Sequence, residues 1–107
     1  FSSDRTADRE FTLGDLRVDP LALRAHRAET VIDLSVREVA VLKLLHRRAG
    51  RVVSRDELYD ECWGQSHFAN SRAVDQFVSG LRRKIEFDPA EPVIIKTVHG
   101  AGYRFDR

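Results

Sequence analysis

One cysteine, almost no net charge and no long apolar run set the first bounds on this chain. A single thiol, Cys62, cannot close an internal disulfide or assemble a thiolate zinc site, which fits a reducing cytoplasm. The longest apolar stretches run only a few residues, far short of the roughly 20 that span a bilayer, so no membrane contact is expected in this segment. Residues 1–10 are polar and lack the apolar centre of a secretory signal. They read as a linker or tail, and a start at Phe1 instead of Met suggests a domain upstream. The formal net charge is only +1, from 18 Lys and Arg against 17 Asp and Glu. Any affinity for a polyanion must therefore come from where the cations lie, because composition supplies no general basic field.

Catalytic signatures are missing as well. His26, His46, His67 and His99 stand far apart, none in a metal-ligand spacing such as His-x-x-x-His. Ser35 and Ser54 occupy helix-capping positions, which explains them without nucleophilic chemistry. Gly100-Ala101-Gly102 opens a strand and not a helix, so it is neither a P-loop nor a dinucleotide fingerprint. No enzyme, metal or cofactor is expected.

What the chain does have is one domain's worth of patterned sequence, 107 residues with 42% hydrophobic and 33% charged. Over residues 11–34, apolar and polar residues alternate in short runs. Phe11 and Leu13, then Leu16 and Val18, suggest two strands about a bend at Gly14-Asp15. Asp19-Pro20 breaks the run. Leu21 and Leu23, then Val31 to Leu34, read as further strands, with Ala25–Glu29 as the turn between them. A small antiparallel sheet follows from this pattern.

Two capping boxes come next. Ser35 with Glu38 opens a first helix carrying Val36, Val39, Ala40, Leu42, Leu44 and Leu45 and ending at Gly50. Arg47, Arg48 and Arg51 near its end complement the helix dipole. Ser54 with Glu57 opens a short second helix that ends near Cys62-Trp63-Gly64. Leu34 with Val39, and Val53 with Leu58, are placed to staple the two starts. A loop over residues 64–70 leads to a third helix, capped by Asn70 or Ser71.

At 100° per residue the third helix, about 71–86, puts Val74, Val78, Leu81 and Ile85 on one side. Arg72, Gln76, Ser79 and Arg83 line the other, with Asp75, Gly80 and Arg82 flanking. Arg and Gln can pair bidentately with guanine and adenine edges. Asp75 has the choice of orienting Arg72 or Arg82 or of accepting from a cytosine amine. Phe87, Pro89 and Pro92 stop the helix. Ile94–His99 and Tyr103–Phe105 then make two strands about Gly100-Ala101-Gly102, with Val98 and Phe105 packing inward. Lys96, Thr97, His99, Tyr103 and Arg104 surround that turn with donors suited to phosphates or the minor groove.

Several spaced motifs in this order resemble the winged-helix effector domains of OmpR/PhoB-class bacterial response regulators. They are Val53-Ser54-Arg55-x-x-Leu58 before Trp63-Gly64, Arg72-x-Val74-Asp75, Leu81-Arg82-x-Lys84-Ile85, and Thr97-Val98-x-Gly100-x-Gly102-Tyr103-Arg104-Phe105. The resemblance covers residues 11–106. It implies an α+β winged helix-turn-helix over 11–107: a four-stranded N-terminal antiparallel sheet, three helices and a C-terminal hairpin wing. It further implies that the third helix enters the major groove of double-stranded DNA, with Arg72, Asp75, Gln76, Ser79, Gly80 and Arg83 at or beside base-facing sites. Trp63, Arg72, Thr97 and Tyr103 are similar to phosphate-contacting positions, and Arg82, His99 and Arg104 join the phosphate-and-wing set. Gln65, Ser66, His67 and Phe68 fall in the loop that such activators turn towards RNA polymerase. A receiver domain upstream, a sensor kinase and dimeric binding to direct-repeat half-sites are implied with it. The chain departs from the family's pattern at Phe77, Ser79, Gly80 and His99, where polar or basic residues are common. Two other readings stay open: a winged helix that binds proteins, and the DNA-binding domain of a membrane-tethered regulator.

Overall fold

A computed structural model describes residues 9–63 and 71–106. Four short strands, β1 (Phe11–Leu13), β2 (Leu16–Asp19), β3 (Arg24–Arg27) and β4 (Thr30–Asp33), form an antiparallel meander in that order. Phe11 pairs with Val18, Val18 with Ala25 and Ala25 with Ile32, so one row of side chains faces the core across all four strands.

The third strand lies further along than the hydrophobic pattern predicts. Leu21 is 73% exposed in a turn that Asp19 closes, its Oδ1 accepting from the backbone N–H groups of Leu21 at 3.1 Å and Ala22 at 3.2 Å. Strand β3 instead carries Arg24, His26 and Arg27 outward or half-buried, and only Ala25 is buried. A single small apolar residue among cations is too weak a signal to mark a strand; pairing to both neighbours makes it one.

Helix α1 (Val36–Arg47) starts at Ser35, whose hydroxyl accepts from Glu38 N–H at 3.1 Å while Glu38 Oε1 accepts from Ser35 N–H at 2.8 Å. Lys84 then donates to the same Glu38 oxygen at 2.8 Å and to Asp33 O at 3.2 Å. The capping box thus also ties α1 to the third helix. Helix α2 (Arg55–Trp63) repeats the device: Ser54 Oγ accepts from Glu57 N–H at 3.0 Å, and Arg48 donates to Glu57 Oε2 at 2.7 Å. Arg48 therefore serves a neighbouring helix start as well as its own helix end. Both staple pairs, Leu34 with Val39 and Val53 with Leu58, are buried.

Helix α3 (Ser71–Ile85) buries Val74, Val78, Leu81 and Ile85 against the core. Each such aliphatic side chain contributes about 1.5–3 kcal/mol by leaving water, which anchors one face of the helix and leaves the other outward. Strands β5 (Lys96–Val98) and β6 (Gly102–Arg104) form the C-terminal hairpin. The hairpin begins two residues later than Ile94, where the pattern put it. Glu86, itself buried, accepts from the backbone N–H groups of Val93, Ile94 and Ile95 at 2.8–3.2 Å, so those groups serve a carboxylate and not a partner strand. Phe105 is buried and Val98 only half-buried. The architecture is a winged helix. Among the described residues no helix is long and apolar enough to cross a membrane.

Tyr103 exchanges backbone hydrogen bonds with Val53 at 2.7 and 2.9 Å, laying β6 beside the approach to α2. Gly102 makes this approach possible: a Cβ there would lie 2.2 Å from Val53 O, and its φ is +145°. Gly80, in mid-α3, has open space where a Cβ would go. Gly80→Ala should therefore raise the stability by about 0.5–1 kcal/mol, whereas Gly102→Ala should lower it by more than that. Denaturant unfolding of both variants checks the pair; equal shifts would contradict the packing described.

Candidate nucleic-acid interface

The two stripes of α3 separate cleanly. Arg72, Gln76, Ser79 and Arg83 are exposed, and the aliphatic stripe behind them is sealed. Arg83 Nη2 lies 3.5 Å from Ser79 Oγ one turn earlier, a weak contact that lays the guanidinium along the helix surface. Gly80 is half-buried and adds no reach. Phe77 packs inward, its ring edge-on to Trp63 at 5.1 Å, so it widens the apolar stripe.

Asp75 sits differently from either partner choice offered by the sequence. Its Oδ1 accepts from Arg55 Nε at 2.7 Å and from the Tyr103 hydroxyl at 2.5 Å. Arg72 and Arg82 are not its hydrogen-bond partners. Burial by itself would raise the Asp75 carboxyl, but the bonds from Tyr103 and Arg55 outweigh it and hold the group below the usual carboxylate range. The same bond, with the attraction of the carboxylate, raises the Arg55 guanidinium. Burial, followed by the bond to Asp75, pushes the Tyr103 phenol up to about 12.

Arg82 and Tyr103 are likewise committed within the domain. Arg82 donates to Ile95 O from Nε at 3.0 Å and from Nη2 at 2.5 Å, and Nη2 also reaches Thr97 Oγ1 at 2.8 Å. Its guanidinium lies 5.4 Å from the centre of the Tyr103 ring, and Arg55 lies 5.5 Å from it. Tyr103 is only 4% exposed. Both residues hold the wing root on α3.

The remaining wing residues divide. Thr97 and His99 are exposed, His99 in the turn where Ala101 N–H donates to Val98 O at 2.9 Å. Arg104 Nε is 2.7 Å from Asp106 and Lys96 Nζ is 3.5 Å from it, so two wing cations share one carboxylate. Trp63 is half-buried in an aromatic stack, with Tyr59 parallel at 5.4 Å and the Arg37 guanidinium 4.8 Å from its ring centre. Gln65, Ser66, His67 and Phe68 lie outside the described residues.

Sequence reading missed Arg55 as a site residue and Glu86 altogether. Arg55 is 20 residues from Asp75, beyond the reach of any helix or strand periodicity. Glu86 did carry a signal: a carboxylate just past a helix C-terminus opposes the dipole and needs compensating donors, which Val93–Ile95 supply. The single thiol, Cys62, is pushed up to about 11 by burial, so it stays protonated and poorly reactive at neutral pH.

Comparison with known proteins agrees with this geometry. A family model described as transcriptional regulatory protein, C terminal, matches residues 29–105. The transcriptional regulatory protein TcrA of Mycobacterium tuberculosis is 43% identical over 91 residues, covering 85% of this chain and 36% of TcrA. The chain thus spans little more than a third of that relative. The DNA-binding domain of RstA from Klebsiella pneumoniae, solved in complex with the RstA box, superposes with a TM-score of 0.78 at 31% identity, over 92% of this chain and 97% of that one. The response regulator DrrB of Thermotoga maritima, an OmpR/PhoB homologue, gives a TM-score of 0.81 at 31% identity, over 98% of this chain and 49% of DrrB.

The cluster at Asp75 makes a pH prediction. A depressed aspartate contributes stability fully above its ordinary range near pH 4 and loses it as pH falls through the folded value. A raised tyrosine contributes fully below about pH 10 and loses that contribution as pH rises towards about 12. Melting temperature against pH should therefore show a shallower alkaline limb for Tyr103→Phe and a shallower acid limb for Asp75→Asn than for the parent. Limbs parallel to the parent's in both variants would contradict the assigned bonds.

Proposed function

Because the chain belongs to the C-terminal family of transcriptional regulatory proteins, in its OmpR/PhoB winged-helix class, we propose that it binds double-stranded DNA sequence-specifically. In this reading α3 lies in the major groove and the β5–β6 hairpin is the wing. The observation that carries it is the division of α3: four aliphatic residues are sealed inside while Arg72, Gln76, Ser79 and Arg83 all face outward. Those four side chains have the forks, amides and hydroxyls that read base edges. Thr97 and His99 at the wing supply backbone contacts. The proposed activity is binding, with no chemistry on the nucleic acid.

Around this domain stands a two-component regulator: a receiver upstream, joined through residues 1–10, a sensor kinase that addresses it, and RNA polymerase met by residues 64–70. Such a protein works in the bacterial cytoplasm. Few outward cations on one domain favour two copies on adjacent direct-repeat half-sites, where tethering makes the second contact intramolecular.

Selection of bound duplexes from random DNA tests the reading. With the selected site, log affinity should fall against log salt with a slope of about −0.9 for each phosphate engaged. A flat salt dependence would favour a protein partner. Arg83→Ala should cost about 1–3 kcal/mol and relax preference at one base pair; uniform weakening across sequences would reassign it to a phosphate. Two half-sites should bind far more tightly than one when two copies are joined, and equal affinities would reject paired binding.

A further inference from the structure

The wing is too short to hold its own orientation. Each strand has three residues, and a two-stranded hairpin of that size is at best marginally stable in water. Something outside it must set its angle to α3. The described contacts that do so centre on Tyr103 and Arg82: Tyr103 has its backbone bonds to Val53, its hydroxyl bond to Asp75 and the guanidiniums of Arg55 and Arg82 at 5.5 and 5.4 Å from its ring centre, while Arg82 bonds to Ile95 O and Thr97 Oγ1. Arg82 and Asp75 both belong to α3. Arg55 comes from α2, and through the Asp75 carboxylate and the Tyr103 ring it ties that helix to both α3 and β6.

We infer that Arg55 is a positioning residue for DNA recognition: by holding Asp75 and covering Tyr103 it sets the wing against α3, and Asp75 serves this bracket instead of reading a base. The inference rests on the DNA-binding reading and names residues that act within it. Asp75 Oδ1 already accepts two charge-assisted bonds, at 2.7 and 2.5 Å, and turning it towards a base would break both. Arg55 is suited to the place because a planar guanidinium can donate to a carboxylate at its edge while lying over a ring; a lysine ammonium is a point charge without that plane. Leverage makes the angle matter. A strand of three residues is roughly 10 Å long, so a tilt of about 15° moves the tip by about 2.5 Å, enough to lose a hydrogen bond to phosphate.

The test uses Arg55→Met and Arg55→Lys in this chain. Residual dipolar couplings report the orientation of residues 96–104 relative to α3, with or without DNA. In Arg55→Met they should show the hairpin rotated or averaged while the three helices keep one common alignment. Duplex affinity should fall about tenfold, the scale of one hydrogen bond to a charged group, with a shallower salt slope. The base preferences recovered by selection should remain unchanged. Because Arg55 acts through the wing, its loss in a His99→Ala background should weaken binding less than it does in the parent.

Arg55→Lys should fall between parent and Arg55→Met in both readouts, and it carries the test if the methionine variant does not melt cooperatively. Parent-like couplings in Arg55→Met or, should that variant not fold, in Arg55→Lys overturn the inference. So does an altered preference at a single base pair in Asp75→Asn. If the parent protein binds no duplex at all, the DNA reading falls, and the couplings still decide whether Arg55 sets the wing.

Discussion

Tyr103 is the joint on which the rest of the binding surface depends. A phenol that is 4% exposed must have its hydroxyl satisfied, or the buried polar group would cost more than the ring gains. Asp75 satisfies it, and Asp75 in turn would be costly beside a buried ring without the countercharge of Arg55. One demand thus generates the next, and the chain of demands crosses from β6 to α3 to α2. Gly102 is the geometric condition for all of it, since any side chain there would collide with Val53 O. The hairpin is short and still ordered because its root is bonded on several sides.

The same contacts account for the near-zero net charge. Many of the acids are structural acceptors: Glu38 receives Lys84, Glu57 receives Arg48, Asp75 receives Arg55, and Glu86 receives three backbone donors. Several cations are spent on these partners or on backbone oxygens, as Arg82 is on Ile95. What faces outward along α3 is a stripe with Arg72 and Arg83 and without an exposed acid among its four members. Net charge adds the internal pairs to the surface, so for a chain of this kind it says little about the field at one face.

Helices were legible because their signals are local. Each capping box needs residues only three apart, and the 3.6-residue period of Val74, Val78, Leu81 and Ile85 marks the buried face of α3 without any knowledge of what covers it. The first two strands and the glycine turn were legible for the same reason. The third strand was not, because its buried position is an alanine among cations and the leucines beside it lie in a turn that Asp19 closes. The start of β5 was missed because Ile94 and Ile95 look like strand residues, while Glu86 had already taken their backbone donors.

For the binding surface, local sequence determined which residues α3 turns outward, since amphipathic periodicity follows from helix geometry alone. It left open which polar residues would still be available. Asp75, Arg82 and Tyr103 carry the same chemistry as phosphate or base contacts, and only the packing of α2, α3 and β6 against one another commits them to each other. The physical reason is range: capping and periodicity act over a few residues, whereas the bonds of Asp75 to Arg55 and Tyr103 join positions 20 and 28 apart, which come within reach only after the core has formed.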